Sequence, residues 1–221
     1  MINTKILNAA TRNGAPKSAK GRATRVRIVN EAMRQLESTP LAAVTPSTVM
    51  NELPMAKSTF YEHFESVSDI AEIMLDDFIS DWENRDLSWY ILDNDLPYHL
   101  YKTMKNIASL GFKKSHYLRA AREAGFWGSE TNRFKSFRKQ VTEMIARNLQ
   151  RQQEKDLVRR NFCPTAEAYM MFDLNCAVVQ NEFETDVWPD AESAGNRLAK
   201  HWVYYFYGIH LEDLLADFNI A

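Results

Sequence analysis

The stretch TPSTVMNELPMAKSTFYEHFESVSD, Thr45–Asp69, contains the signals that decide how this chain folds. Thr45-Pro46 is an N-cap followed by a proline at the first helical position, which predicts a short helix. Pro54 ends this helix, because proline disfavours a helical conformation in the residue before it. The segment Ala56–Phe64 follows at once. Two short helices joined by such a tight turn have the size of a helix-turn-helix.

The second of these helices is predicted to have one apolar side and one polar side. Ala56, Phe60 and Phe64 are four residues apart, so they form one stripe that can pack on the preceding helix. In a helix-turn-helix, the second helix enters the major groove of DNA with its N-terminal residues at base edges. Lys57 and Ser58 occupy that end, and we expect them to contact bases.

Other polar side chains of this stretch are suited to phosphate oxygens. Thr59, Tyr61 and His63 are predicted to bind the DNA backbone and fix the position of the protein along it. Thr45 can offer its hydroxyl and nearby backbone N–H groups to another phosphate. Each residue has an ordinary alternative: Lys57 as a solvated lysine, Tyr61 as a packing residue, His63 as a donor to a backbone carbonyl. Their combination on one short helix favours nucleic-acid binding.

The net charge of -2 conceals an uneven distribution. Residues 1–34 carry a net charge of +7, the first 65 residues sum to +4, and the remaining 156 sum to -6. A basic head on an acidic body predicts a polyanionic partner at one end. The alternative is a polar N-terminal tail that is merely solvated. Residues 1–20, rich in Asn, Thr, Ala, Ser and Lys, are predicted to form a flexible basic arm.

The rest of the chain indicates an all-α protein, because prolines and glycines are few and no long segment alternates polar and apolar residues. The predicted helices are Gly21–Glu37, Thr45–Leu53, Ala56–Phe64, Ser66–Arg85, Pro97–Leu110 ending at Gly111, Lys113–Ala124 ending at Gly125, Ser129–Leu157, Thr165–Val187 and Asp190–Phe218. We therefore predict a three-helix DNA-binding domain over residues 21–65 and a larger helical domain over residues 66–221.

The last two predicted helices carry apolar residues nearly all round. Such a helix near the surface of a small domain needs a second partner, so we expect these two to form a homodimer interface. The alternative is that the C-terminal domain buries them internally.

Aromatic residues in the C-terminal region are suited to a flat or hydrophobic small molecule. The candidate effector-binding residues are Trp82, Tyr101, Met104, Trp127, Phe137, Tyr169 and Asp173. Ordinary core packing is the alternative for each aromatic one. Asp173 lies in an otherwise apolar helix, where it can line a pocket or form a bond across the dimer.

Several classes of protein are excluded. The five histidines form no metal-binding or catalytic motif, and there is no GxGxxG, P-loop or GxSxG sequence, so we expect no enzyme, no metal and no cofactor. No run of about 18 uncharged apolar residues exists, which argues against a membrane span. The absence of a signal peptide and the presence of only two cysteines favour the cytoplasm.

Thr45–Asp69 resembles the helix-turn-helix of the tetracycline-repressor (TetR) family of bacterial transcriptional regulators, above all in Thr59-Phe60-Tyr61-x-His63-Phe64 followed by Ser66 and an acid. The similarity covers about 45 residues, from Arg25 to Ile70. It implies a dimer that binds a pseudo-palindromic DNA operator, a C-terminal domain that dimerises and often holds an effector, and repression as the default. By position, it adds Ser47 to the DNA-binding residues.

The sequence departs from the family pattern at three positions. Pro54 replaces the usual turn glycine, Met50 replaces an alanine, and Val67 replaces a lysine that binds phosphate. The basic arm can compensate for that lysine, in which case deleting residues 1–20 should weaken DNA binding and flatten its salt dependence. These departures also keep open an alternative function: a helical ligand-binding or interaction module that has lost DNA binding.

Overall fold

A computed structural model describes Pro16 and residues 18–85, 96–126, 132–185 and 190–217. These residues form α-helices and one short 3-10 helix, with no strand among them. The α-helices are α1 (Ala19–Leu36), α2 (Pro46–Asn51), α3 (Ser58–Tyr61), α4 (Val67–Glu83), α5 (Leu96–Lys113), α6 (Ser115–Glu123), α7 (Asn132–Glu154), α8 (Pro164–Thr185), α9 (Ala191–Tyr207) and α10 (Leu211–Asp217); the 3-10 helix is Leu41–Ala43. The predicted all-α class is confirmed. No helix of the described residues is long and apolar enough to cross a membrane.

The described residues divide into two compact units. The first comprises Met1–Asp81 with His116–Phe134, and the second comprises Trp82–Ser115 with Lys135–Ala221. The first unit therefore includes α6, which follows the helix-turn-helix at a distance in sequence. The functional domain boundary predicted at residues 65 and 66 stays a prediction.

Helix α1 and the two short helices, α2 and α3, contribute buried side chains to the core of the first unit. On α1, the apolar side chains of Val29, Ala32 and Leu36 recur at helical spacing and are buried. Thr45 begins α2 as predicted: its Oγ1 accepts a hydrogen bond from the Thr48 N–H at 3.1 Å, and Thr48 Oγ1 accepts one from the Thr45 N–H at 3.0 Å. This reciprocal cap stabilises a helix of only six residues.

The predicted helix Ala56–Phe64 is shorter than expected, because regular α-helix extends only over α3. Helical turns flank it, with the Thr59 N–H bonded to the Ala56 carbonyl and the Phe64 N–H bonded to the Phe60 carbonyl. Phe60 and Phe64 are fully buried as predicted. Ala56 is exposed, so its assignment to the buried stripe was wrong. Ala56 precedes α3, so it is not part of the regular helix and does not share the buried side of Phe60 and Phe64.

Three glycines show how helix ends depend on context. Gly125, with φ +79°, ends α6 in the left-handed conformation, and the Phe126 N–H reaches the Ala121 carbonyl, as predicted. Gly111 was wrongly predicted to end a helix, since it is buried inside α5. The single helix predicted over residues 190–218 was also wrong. It is interrupted at Gly208, whose φ of +71° no right-handed helix accommodates.

The second unit packs α7, α8 and α9 around apolar side chains. Five apolar side chains that recur at helical spacing along α7 are buried, namely Phe134 in the first unit and Phe137, Val141, Ile145 and Leu149 in the second. On α9, Trp202 is buried, and its Nε1–H donates to Asn175 Oδ1 of α8 at 3.0 Å. The α8–α9 pair is thus fixed by both packing and a buried hydrogen bond.

Gly195 allows α9 to approach α5 closely. A Cβ atom at this position would lie 2.9 Å from the Cα of Lys105 and 3.4 Å from the Cβ of Ala108. We expect Gly195→Ala to lower the free energy of unfolding by about 1 kcal/mol, because the cost of overpacking exceeds the gain in helix propensity. Urea denaturation measures the change. A G195A variant as stable as the wild-type protein would contradict this close approach.

Candidate nucleic-acid interface

The orientation of α3 is fixed by Phe60 within the helix and by Phe64 just after it. The rings of Phe60 and Phe64 are fully buried with centroids 5.6 Å apart, and Tyr61 meets Phe60 edge to face at 5.7 Å. With this side anchored, the start of the helix faces outward. Lys57 and Ser58 are exposed, and Tyr61 is 50% exposed. The two residues predicted to read bases and one predicted phosphate contact are therefore accessible together.

The other predicted DNA-binding residues of this region are less exposed, apart from Thr45. Thr45 is exposed, whereas Ser47 and Thr59 are half-buried. Thr45 Oγ1 already accepts the N–H of Thr48, but its hydroxyl proton can still be donated to a phosphate oxygen. Pro46 has no N–H, so the anion-binding capacity of the α2 start is smaller than that of an ordinary helix start.

His63 lies mostly inside the first unit, with 8% of its surface exposed. Burial lowers the pKa of its imidazole below the usual value, and the positive charge of Arg25 lowers it further. The ring is therefore neutral at neutral pH. A neutral imidazole can donate only one N–H to a phosphate, and the predicted DNA-binding role of His63 stays a prediction.

The lowered pKa of His63 predicts a loss of stability in mild acid. As the pH falls below about 6.5, His63 gains a proton in the unfolded chain before it does so in the folded protein. The free energy of unfolding should therefore fall as the pH is lowered from 7.5 to 5.5. Denaturation of the wild type and of His63→Asn at both pH values isolates this contribution, since the variant lacks the titrating group. A pH-independent difference between the two proteins would contradict the prediction.

Arg25 is buried against Phe64, behind the exposed residues of α3, a role that the sequence analysis missed. Its side chain is 1% exposed and its guanidinium lies 4.8 Å from the centroid of the Phe64 ring. Burial lowers the pKa of this guanidinium, and the nearby carboxylate of Asp69 opposes that effect. Arg25 lies three and four residues before the buried Ile28 and Val29, so helical spacing could have placed it on the inner face.

The exposed basic residues of α1 are consequently fewer than the charge count implied. Lys20, Arg22, Arg27 and Arg34 are exposed while Arg25 is buried, and Arg34 pairs with Glu31 at 2.7 Å. Residues 1–15 and Lys17, which hold the rest of the predicted arm, lie outside the described residues.

The α2 start also borders a surface hollow of about 530 Å³ within the first unit. Its lining is mostly apolar, with three hydroxyls and one carboxylate: Pro40, Leu41, Ala42, Val44, Thr45, Pro46, Ser66, Val67, Ser68 and Glu123.

Among the described residues of the second unit, the predicted effector residues do not line a cavity that the structure describes. Trp82 and Phe137 are buried and meet edge to face at 5.1 Å, and Tyr101 and Met104 are buried as well. Tyr169 and Asp173 are exposed on α8, where Arg138 binds both. Trp127 lies outside the described residues.

Two hollows are described in this unit, of about 290 and 490 Å³, and both lie along α9 and α10. None of the six predicted effector residues that the structure describes lines either of them. The role of these residues in ligand binding therefore stays a prediction.

Solved structures of other proteins share this order of helices. NalD, the secondary repressor of the MexAB-OprM multidrug efflux pump in Pseudomonas aeruginosa, matches 85% of this chain and 98% of its own, with a TM-score of 0.64 and 15% identity. A protein described as a TetR-family transcriptional regulator from Syntrophomonas wolfei matches 83% of this chain and 94% of its own, with a TM-score of 0.61 and 15% identity. The chain has the TetR-family fold.

A third structure with this fold, the complex of SmeT with triclosan, matches 82% of this chain and 90% of its own, with a TM-score of 0.55 and 15% identity. No protein-family model and no curated protein matches the sequence.

The three departures from the TetR pattern have distinct places in the fold. Val67 is 5% exposed and belongs to the core of the first unit, so it cannot replace a phosphate-binding lysine. Met50 is 3% exposed and fills the same core. Pro54 is exposed in the turn between α2 and α3. Of the three, only Val67 removes a charge from the surface.

Proposed function

We propose that the protein is a TetR-family-like transcriptional regulator, with repression as its default action, that binds a pseudo-palindromic operator as a homodimer. The observation that carries this proposal is the anchored α3 helix. Phe60 and Phe64 hold it from behind, so that Lys57, Ser58 and Tyr61 are presented together on a TetR-family fold. DNA as the partner also agrees with a cytoplasmic location.

The residue types on this surface match the chemistry of DNA. Lysine can donate to guanine O6 and N7, and the small hydroxyl of Ser58 can approach base edges closely. Thr59, Tyr61 and His63, together with Thr45 and Ser47 of the preceding helix, would donate to phosphate oxygens and fix the register. The exposed Lys20, Arg22 and Arg27 add an attraction that depends on salt rather than on sequence.

A homodimer is supported by the exposed apolar face of α8. One side of this helix is buried through Ala168, Met171 and Phe172. The opposite side exposes Met170 by 59% and Leu174 by 38%. A second copy would cover this face, as expected for a helix that is apolar on two sides. Two recognition helices would then lie about 34–36 Å apart, one turn of DNA.

We further propose that a small hydrophobic or aromatic molecule modulates the affinity for DNA. SmeT, which shares the fold, has been solved with triclosan, a molecule of this kind. In this chain, Trp82, Phe137 and Phe172 form a contiguous aromatic cluster, with ring centroids 5.1 and 5.9 Å apart. A ligand that binds differently to two arrangements of the protein would shift its DNA affinity, and DNA would shift its ligand affinity equally.

The proposal is tested by selecting genomic fragments with the purified protein at about 0.15 M salt, where screening weakens loose phosphate attraction. The expected result is enrichment of a palindrome, protected on both half-sites by a protein that sediments as a dimer. Failure to enrich any sequence, with and without a panel of aromatic ligands, would instead support a helical module that has lost DNA binding.

A further inference from the structure

Helix α6 belongs to the first unit although it lies far from α3 in sequence. Tyr117 and Ala120 are 6% and 1% exposed and belong to the same core as Phe60 and Phe64. Ala124 and Phe126, just beyond α6, pack against this core as well. One face of α6 is therefore fixed, which determines where the polar side chains beside that face can reach.

The first of these side chains, Arg119, binds the end of α1. Helix α1 ends at Leu36 without a glycine, with Glu37 in a right-handed helical conformation. The last carbonyl groups of such a helix need donors from elsewhere. The Nη2 of Arg119 donates to the carbonyl oxygen of Leu36 and, at 3.3 Å, to that of Glu37. The positive charge also suits the negative end of the helix dipole.

The second side chain, Glu123, binds the segment that follows. Its Oε2 accepts the backbone N–H of Leu41 at 2.5 Å, a contact between residues 82 positions apart. Glu123 lies four residues after Arg119, so both side chains project from the same side of α6. Together they hold the two ends of the connection 36–41. This connection leads through the 3-10 helix to Thr45, the N-cap of α2.

We propose that Arg119 and Glu123 are positioning residues for DNA recognition: they fix the connection between α1 and α2 and thereby the placement of α2 in the first unit. This inference rests on the proposed function. Neither residue needs to touch DNA. Without them, the carbonyl groups at the end of α1 and the Leu41 N–H bond to water, and α2 samples positions that do not fit the operator. The measured affinity falls in proportion to the fraction of competent molecules.

The test compares Arg119→Ala, Glu123→Ala and Glu123→Gln in the full-length protein. Glutamine retains an acceptor for the Leu41 N–H but no charge, so E123Q should recover part of what E123A loses. Arg133→Ala is the matched control, because Arg133 also belongs to the first unit and its ion pair with Asp76, at 3.0 Å, is exposed. Operator affinity, its salt dependence and the amide hydrogen exchange of residues 41–51 are measured.

We expect R119A and E123A each to weaken operator binding about tenfold, since each loses a hydrogen bond to a charged group. The salt dependence should stay unchanged because no phosphate contact is removed. Amide exchange of Leu41 and α2 should accelerate, while R133A should match the wild type in both respects. Unchanged exchange at residues 41–51, or an affinity loss shared by R133A, would overturn the inference. Failure of the wild type to bind any DNA would instead refute the proposed function, and the exchange data would still test the positioning role.

Discussion

Replacing Lys57 and Tyr61 together with alanine should lower the affinity for the operator at least about 100-fold. A lysine that contacts a base contributes roughly 1–3 kcal/mol of binding energy, and a dimer loses each contact twice. Lys57 is exposed, and the truncation of the half-exposed Tyr61 removes its edge-to-face contact with the buried Phe60. The free energy of unfolding should therefore fall by no more than about 1.5 kcal/mol. Equilibrium titration of a labelled operator at fixed salt measures the loss.

The control for this double variant is Lys139→Ala, which removes the same charge from an exposed site on α7 of the second unit. K139A should bind DNA within about twofold of the wild type, because Lys139 belongs to the second unit and is no part of the proposed interface. The dependence of log affinity on log salt should change little in K57A/Y61A, because Lys57 is assigned to a base rather than to a phosphate and Tyr61 carries no charge. A double variant that binds within threefold of the wild type would remove α3 from the interface.

Trp202→Ala should lower the free energy of unfolding by about 3–5 kcal/mol, because it opens a large cavity in the second unit. The Trp202 side chain is 2% exposed and stacks on Phe206 with ring centroids 5.4 Å apart. Its indole N–H is the donor to Asn175 Oδ1. Since Trp202 holds α9 against α8, the helix with the exposed apolar face, W202A should also weaken self-association. Chemical denaturation and sedimentation measure the two effects.

Two further variants separate packing from hydrogen bonding at this site. Trp202→Phe keeps most of the ring but leaves the buried Asn175 without its donor, which should cost about 1–3 kcal/mol. Adding Asn175→Leu removes that unsatisfied group, so the double variant should be more stable than W202F alone. Equal stability of W202F and the wild type would show that the bond to Asn175 contributes nothing net.

Local signals in the sequence predicted the local structure around the helix-turn-helix well. The N-cap at Thr45, the proline that follows it and the spacing of Phe60 and Phe64 each depend on residues within one or two turns. The exposed start of α3 follows from the same spacing. Gly125 also obeyed its local rule, because an open left-handed cap needs little from the rest of the protein.

Errors occurred where a glycine had two possible roles. Gly111 and Gly208 each follow an apolar helical pattern, yet the first lies inside α5 and the second interrupts the last predicted helix. The apolar spacing continues past Gly208 into α10, so the spacing alone does not mark the break. In the folded chain, the side chain of Arg159 packs against Gly208. The backbone N–H of Arg159 donates a hydrogen bond to the carbonyl oxygen of Phe206. Arg159, about fifty residues away in sequence, thus contacts the end of α9.

The sequence by itself determined the all-α class, the helix-turn-helix and the polar face of α3, because helical periodicity and capping act between residues a few positions apart. Only the tertiary structure decided that Arg119 and Glu123 hold the connection between α1 and α2. Such roles depend on which backbone groups the path of the chain brings within hydrogen-bond distance across some eighty residues. No local pattern encodes that distance.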